Sequence, residues 1–155
     1  MPIPEFVVEI RKMIGQHEMW LPGVTAVVTR GDEILLVRRA DNGAWTPITG
    51  IPEPGEEPAA AAAREALEET GVVIRVDRLA STSVYPGVVH ANGDRASYLD
   101  LTFACAYVSG EAHVADDESS DVRWFPVDAL PEMAPAMLQR IEDALSGEPA
   151  ARFVR

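Results

Sequence analysis

A run of five alanines followed by three closely spaced glutamates constrains this chain more than any other stretch. In "GIPEPGEEPAAAAAREALEETGV", Gly50–Val72, a Gly/Pro-rich loop runs into a segment that opens with Pro58 and stops at Gly71. Proline suits a first helical turn, where its missing N–H is no loss. Glu56 and Glu57 favour the positive end of a helix. Alanine propagates a helix without side-chain entropy cost, and Gly71 stands where a left-handed residue would end it. The pattern predicts a helix from about Pro58 to Thr70. On it Glu65, Glu68 and Glu69 are spaced i, i+3, i+4 and share one face, with Cβ atoms ~5–6 Å apart. Like charges so placed destabilise a helix by a few tenths of a kcal/mol per pair. A solvated helix usually answers a glutamate with lysine four residues on; here Glu65 is answered by Glu69. Converging carboxylates without lysine suit a hard cation, Mg2+ or Mn2+. The plainer alternative is a solvated acidic face.

The chain has 155 residues, 47% of them hydrophobic, enough for one domain with a real core. Net charge is 13 − 25 = −12. A surface this acidic repels a phosphate backbone, so nucleic acid is excluded as a first expectation. Small phosphorylated substrates stay admissible because bound cations invert the local charge. The single cysteine, Cys105, sits in the apolar run "LTFACAYV" and reads as a core thiol. One cysteine allows no internal disulfide, which fits a reducing compartment. With no signal-peptide pattern at the N-terminus and no apolar run near the ~20 residues of a membrane span, the expected location is cytoplasmic.

Residues 4–15 carry apolar side chains at helical spacing (Phe6, Val7, Ile10, Met13, Ile14), with Gly15 as a stop. This helix, an extension over residues 1–19, packs on its own domain or on a second subunit, which leaves a homodimer open. "GVTAVVTR" (23–30) and "EILLVRR" (33–39) read as strands around the turn Gly31-Asp32. Further strands are expected at 72–76, 80–86, 97–108 and 121–125. A last helix within 131–147 places Met133, Met137, Leu138, Ile141 and Leu145 on one face, and the tail 148–155 is expected to fray. Strands mixed with two or three helices imply an α/β sandwich, a mixed sheet covered by helices, as one domain over 1–155.

Gly50, Glu56, Arg64, Glu65, Glu68, Glu69 and Gly71 satisfy G-x5-E-x7-R-E-U-x-E-E-x-G-U, with Ala66 and Val72 in the aliphatic slots. This stretch resembles the Nudix box, the signature of Nudix hydrolases. The hairpin ending "LLVRR", Trp45 ahead of the box and "VRWFPVDALP" downstream resemble that family's surroundings, over roughly residues 20–146. The resemblance implies a Nudix α/β/α sandwich in which the box forms a loop-helix-loop. It implies that Glu65, Glu68 and Glu69 hold divalent metal, or orient and deprotonate water, and that Arg64 orients a box glutamate, Glu56, through a charge-assisted hydrogen bond. A backbone carbonyl before the box glycine, here that of Thr49, joins the ligands; glycine is usual at that position, so the loop's shape departs from the common one. In "ADDESSDVRW" Glu118 resembles a loop carboxylate that reaches the attacking water; Asp116 and Asp117 are weaker candidates, and a solvated turn is the alternative.

Arg38 and Arg39 end a strand and face opposite sides, so one of them is a candidate phosphate binder. Trp45 and Tyr98 could stack on a base or simply pack. His17, His90 and His113 lack metal-ligand spacing, and neither a P-loop nor G-x-S-x-G occurs. The expected activity is metal-dependent hydrolysis of the pyrophosphate bond in nucleoside diphosphates linked to a group X, nucleoside triphosphates included. One rival is a dedicated ADP-ribose or sugar-nucleotide hydrolase; Pro86 lies near, but not at, the spacing associated with ADP-ribose hydrolases. The rival from another class is a catalytically idle nucleotide sensor, against which the intact box glutamates stand.

Overall fold

Residues 3–155 are described by the computed structural model. In chain order the elements are α1 (Glu5–Ile14), β1 (Met19–Arg30), β2 (Glu33–Arg39), β3 (Trp45–Thr46), β4 (Ile48–Gly50), α2 (Pro58–Thr70), β5 (Val73–Val89), β6 (Arg95–Ser109), β7 (Ser119–Pro126), α3 (Pro135–Leu145) and β8 (Arg152–Phe153). The strands form one mixed sheet in the order β3-β2-β1-β6-β5-β8, with β4 paired to β1 and β7 to β2. β1 runs parallel to β6 and β5 parallel to β8; the other pairs are antiparallel.

Alternation along the central strands builds a core on each face. Val24, Ala26 and Val28 of β1 and Leu35 and Val37 of β2 point to one side, where Ala61, Ala62 and Ala66 of α2 pack on them. The alanines therefore do more than propagate the helix: small side chains let its axis lie close to the sheet. Val27, Ile34 and Leu36 point to the other side and meet Met133 together with Met137, Ile141 and Ala144 of α3. The result is an α/β/α sandwich. Burying each large side chain stabilises the fold by about 1.5–3 kcal/mol. Cys105 lies in the α2-side core, and burial pushes its thiol up to about 12, as expected of a packing residue.

Three expectations change. The segments 72–76 and 80–86 are one strand, β5, whose pairing with β6 shifts register at several points, so the bulges absorb the irregular pattern. Leu138 and Leu145 are exposed, because α3 offers the sheet only a narrow stripe. The tail 148–155 does not fray throughout: Arg152 and Phe153 pair with Ser81 and Thr82, and Arg152 is held by Glu148 and Asp143. Among the described residues no helix is long and apolar enough to cross a membrane.

Candidate active site

The glutamate helix begins at Pro58 and ends at Gly71, which takes φ 71°, ψ 8° and donates its N–H to the Leu67 carbonyl at 2.9 Å. The helix thus stops as its sequence dictates, with Glu68 and Glu69 in its last turn. The three glutamates do not share one solvent face. Glu65 and Glu69 are buried, whereas the Glu68 side chain is 43% exposed. Gly50 explains how Glu65 fits: a Cβ there would overlap the Glu65 carboxyl. Only glycine lets β4 pass over that side chain.

Arg64 organises the near side. It donates through Nε and Nη2 to both carboxylate oxygens of Glu56, at 2.8 and 2.9 Å. Its Nη1 reaches Glu65 Oε1 and Glu68 Oε2, each at 3.1 Å, and its Nη2 the Ile51 carbonyl at 3.3 Å. Glu56 is thereby held below the usual carboxylate range, and it also accepts from the Glu53 N–H at 2.9 Å. One guanidinium stitches the loop before the helix to the helix itself.

Glu65 and Glu69 behave differently from Glu56. Burial pushes Glu65 up to about 7, with Arg64 opposing and Glu68 adding to the rise. Burial pushes Glu69 up to about 8, helped by the charges of Glu65, Glu118 and Asp116. Glu65 Oε2 is buried without a hydrogen-bond partner. Among the described residues no three His, Cys, Asp or Glu are drawn together as a metal-ligand cluster, since Glu68 turns to Arg64 rather than to Glu65 and Glu69. The donors nevertheless have the chemistry for a hard divalent cation: they are all oxygen, Glu65 and Glu69 lie in each other's field, and one buried oxygen has nothing to satisfy it. Thr49 precedes Gly50 in β4 and pairs with Thr25 of β1.

The segment 113–118 closes the far side. His113 N–H donates to the Thr70 carbonyl at 3.0 Å and Ala115 N–H to the Glu69 carbonyl at 3.1 Å. Ala40 N–H donates to the Glu118 carbonyl at 2.8 Å. This strap brings Asp116 and Glu118 within electrostatic reach of Glu69. Glu118 is exposed over the residue as a whole, yet the surroundings of its carboxyl raise its pKa, through desolvation first and the charge of Asp116 as well.

The two arginines of β2 separate as alternation requires. Arg39 is the one in the field of Glu69 and Glu118, and it makes a two-pronged pair with Asp41 at 2.9 and 2.7 Å. Arg38 is exposed, bonds the Gly43 carbonyl at 3.1 Å and shares its register with Trp45. Trp45 packs edge-on against Phe125 at 4.9 Å on the α3-side core, opposite to α2, so the structure gives it a packing role and not a place beside the glutamates. Tyr98 bonds His90 Nε2 at 3.0 Å and packs on the cluster of Val7, Met19, Leu21 and Ala96, within reach of the Arg39 charge. Asp41 was not singled out in the sequence; an acid two residues after a strand-end arginine was the available signal.

Comparison with known proteins agrees with this geometry. The NUDIX domain model matches residues 19–144. A "MutT-like protein" of Streptomyces ambofaciens is 38% identical over 126 residues, 80% of this chain and 76% of that protein. The "NAD-capped RNA hydrolase NudC" of Pseudomonas aeruginosa is 35% identical over 122 residues, but these make up only 41% of its length. The solved "NUDIX hydrolase from Nitrosomonas europaea" superposes with a TM-score of 0.71 at 28% identity, covering 86% of this chain and 93% of its own. Box, strap and sandwich together with these matches place the chain in the Nudix hydrolase family, as a pyrophosphohydrolase of that family.

Proposed function

We propose that the protein hydrolyses the pyrophosphate bond of nucleoside diphosphates linked to a further group X, nucleoside triphosphates included, with water attacking phosphorus. The observation that carries this reading is the buried Glu65 carboxyl, one oxygen unpartnered, beside a second buried carboxyl at Glu69. Glu65, Glu68, Glu69 and the Thr49 carbonyl would hold a divalent cation, Mg2+ or Mn2+. When bound there, such a cation supplies charge neutralisation of the diphosphate and acidifies water. Arg64 keeps the box glutamates in place. Glu118, on its strap, takes the proton of the attacking water. Arg39, which pairs with the exposed Asp41, is the guanidinium that would meet a phosphate oxygen. The RNA named for the Pseudomonas relative belongs to a protein of which this chain matches less than half, so a small nucleotide is the substrate proposed here.

A nucleotide panel assayed with Mg2+ tests the reading. A nucleoside monophosphate should appear from every substrate cleaved, with pyrophosphate from triphosphates and ribose 5-phosphate from ADP-ribose. EDTA should abolish turnover and Mg2+ or Mn2+ restore it. In 18O-labelled water the label should enter on phosphorus. Full activity without metal, label on a sugar carbon, or single phosphate released from ATP would each overturn it.

A further inference from the structure

The strap that carries Glu118 begins with a close approach to the end of α2. Gly71 has no side chain, and a Cβ there would overlap the His113 ring. His113 Nδ1 lies 2.8 Å from the Glu111 carbonyl. A carbonyl only accepts, so Nδ1 carries the proton, and this bond fixes the plane of the ring. A Cβ on Gly110 would overlap the Gly71 carbonyl, and the Tyr107 hydroxyl donates to the Gly110 carbonyl at 2.9 Å. Ala112 packs against the α2-side core. The chain is therefore seated on the end of α2 over residues 110–113, before it continues to Asp116 and Glu118. The last carbonyls of a helix have no partner within it. Here those of Glu69 and Thr70 accept from the Ala115 and His113 N–H groups, at 3.1 and 3.0 Å. Beyond them Asp116 Oδ1 accepts from the Glu118 N–H at 3.1 Å, and Ala40 N–H donates to the Glu118 carbonyl at 2.8 Å. Register along these bonds sets where Asp116 and Glu118 stand against Glu69.

We propose that His113 is a positioning residue for the reaction: its ring, seated on Gly71, holds the strap in the register that presents Glu118 to the attacking water. His113 acts through Glu118 rather than on the substrate, and the proposal rests on the pyrophosphohydrolase reading. Backbone bonds at an exposed helix end open readily. A ring resting on a bare Cα makes a slip of the strap break a packed contact as well as two hydrogen bonds. Gly71 thereby has a second duty beside ending the helix: it leaves the place that the ring occupies.

A double-mutant cycle with Glu118 tests it. His113→Ala should lower kcat about threefold, with KM within about twofold, and by no more than Glu118→Gln does. Added to Glu118→Gln, it should cost less than about 1.5-fold more, because the group it positions is already gone. His113→Asn, whose amide nitrogen takes the place of Nδ1, should bring kcat back to within about 1.5-fold of the parent. His17→Ala, at an exposed histidine outside the strap, should leave kcat unchanged. Amide hydrogen exchange reads the strap without turnover. In His113→Ala the N–H groups of Ala115 and Ala40 should exchange about fivefold faster or more, and that of Gly71, bonded to Leu67 within the helix end, within about twofold of the parent. Losses that multiply in the double variant, parental exchange in His113→Ala, or a Glu118→Gln protein with parental kcat each overturn the proposal. Faster exchange in a protein that releases no nucleoside monophosphate from any nucleotide would sink the proposed reaction while leaving His113 as the latch of the strap.

Discussion

Asp100 and Glu65 are both carboxylates that this fold removes from water, one on the α3 side of the sheet and the other between α2 and β4. Burial raises the pKa of each. Asp100 is answered from within the chain. Thr25 donates to Oδ1 at 2.8 Å, Thr102 to Oδ2 at 2.7 Å, and Arg140 of α3 lies 3.4 Å from Oδ1 while also bonding Thr25 at 3.0 Å. The one loose end is Arg140 Nε, buried without a partner. Glu65 receives a single bond, from an arginine shared among three carboxylates, and its second oxygen has none. The first arrangement ties a helix to the sheet and satisfies both carboxylate oxygens of Asp100 without solvent. The second is incomplete by an amount that a cation would supply. A buried acid thus reads as structural or functional according to whether the chain itself closes its hydrogen bonds.

The comparison breaks most visibly at Arg140. Arg140→Ala leaves Asp100 buried and uncompensated, a loss of about 3–5 kcal/mol. In a chain of this size that lowers Tm by about 10 °C or more. Adding Asp100→Asn should recover part of the loss, since it removes the orphaned charge. Metal dependence per folded molecule should not change. An Arg140→Ala protein with parental Tm but altered metal affinity would show that the two faces are not separate.

Glu69→Gln should do the opposite. It relieves a buried carboxyl crowded by Glu65, Glu118 and Asp116, so thermal stability should hold or rise. Activity should fall by ~10²-fold or more, by analogy with a positioned acid-base group. Glu68→Gln should follow it in activity, while Glu57→Gln, at the helix N-cap and outside the fixed pattern, stays near the parent. Equal losses at Glu57 and Glu69 would mean that an acidic surface, not a site, had been altered.

How much of this was legible beforehand follows from which forces act locally. α2 was legible end to end, because Pro58, the alanines and Gly71 are local instructions that the packing does not contradict. The β1–β2 hairpin was legible from Gly31-Asp32 for the same reason. The Asp100–Arg140 pair was not: the partners are far apart in sequence, and nothing near either residue names the other. Nor was the division among the glutamates, since helical spacing puts Glu65, Glu68 and Glu69 on one face but not which of them the sheet covers. Trp45 was left between two roles because a tryptophan beside a box looks alike whether it stacks on a ligand or on Phe125.

The pH dependence of stability sharpens the contrast further. Glu65 and Glu69 titrate higher folded, at about 7 and about 8, than in an unfolded chain at ~4.3. Between those values the folded state binds more protons than the unfolded one, so stability falls as pH rises. Their contribution is fully present below about pH 4 and lost as pH passes through 7 to 8. Without divalent cation, Tm should drop by about 5 °C between pH 6 and pH 9, on the order of 1–2 kcal/mol. If the site is the proposed cation site, Mg2+ favours the ionised form and should remove most of that drop. In Glu69→Gln the slope should shrink. A slope unaffected by Mg2+ would assign it to other groups.

Glu118 carries the smallest effect and the finest test. Its strap is held by backbone bonds, Ala115 to Glu69 and Ala40 to Glu118, which a side-chain change leaves intact. Glu118→Gln keeps shape and removes the proposed proton acceptor, so kcat should fall about five- to tenfold, roughly 1 kcal/mol of barrier. KM should stay within twofold, the pattern of an interaction made mainly in the transition state. The fall is smaller than at Glu69 because the proposed metal ligands and Arg39 remain. The same substitution removes one of the charges that raise Glu69. The Glu69 titration should therefore move down, and the acid limb of the activity profile with it. A changed KM with unchanged kcat would put Glu118 on the binding side of the reaction, and no change in either would leave the strap as a brace for α2 alone.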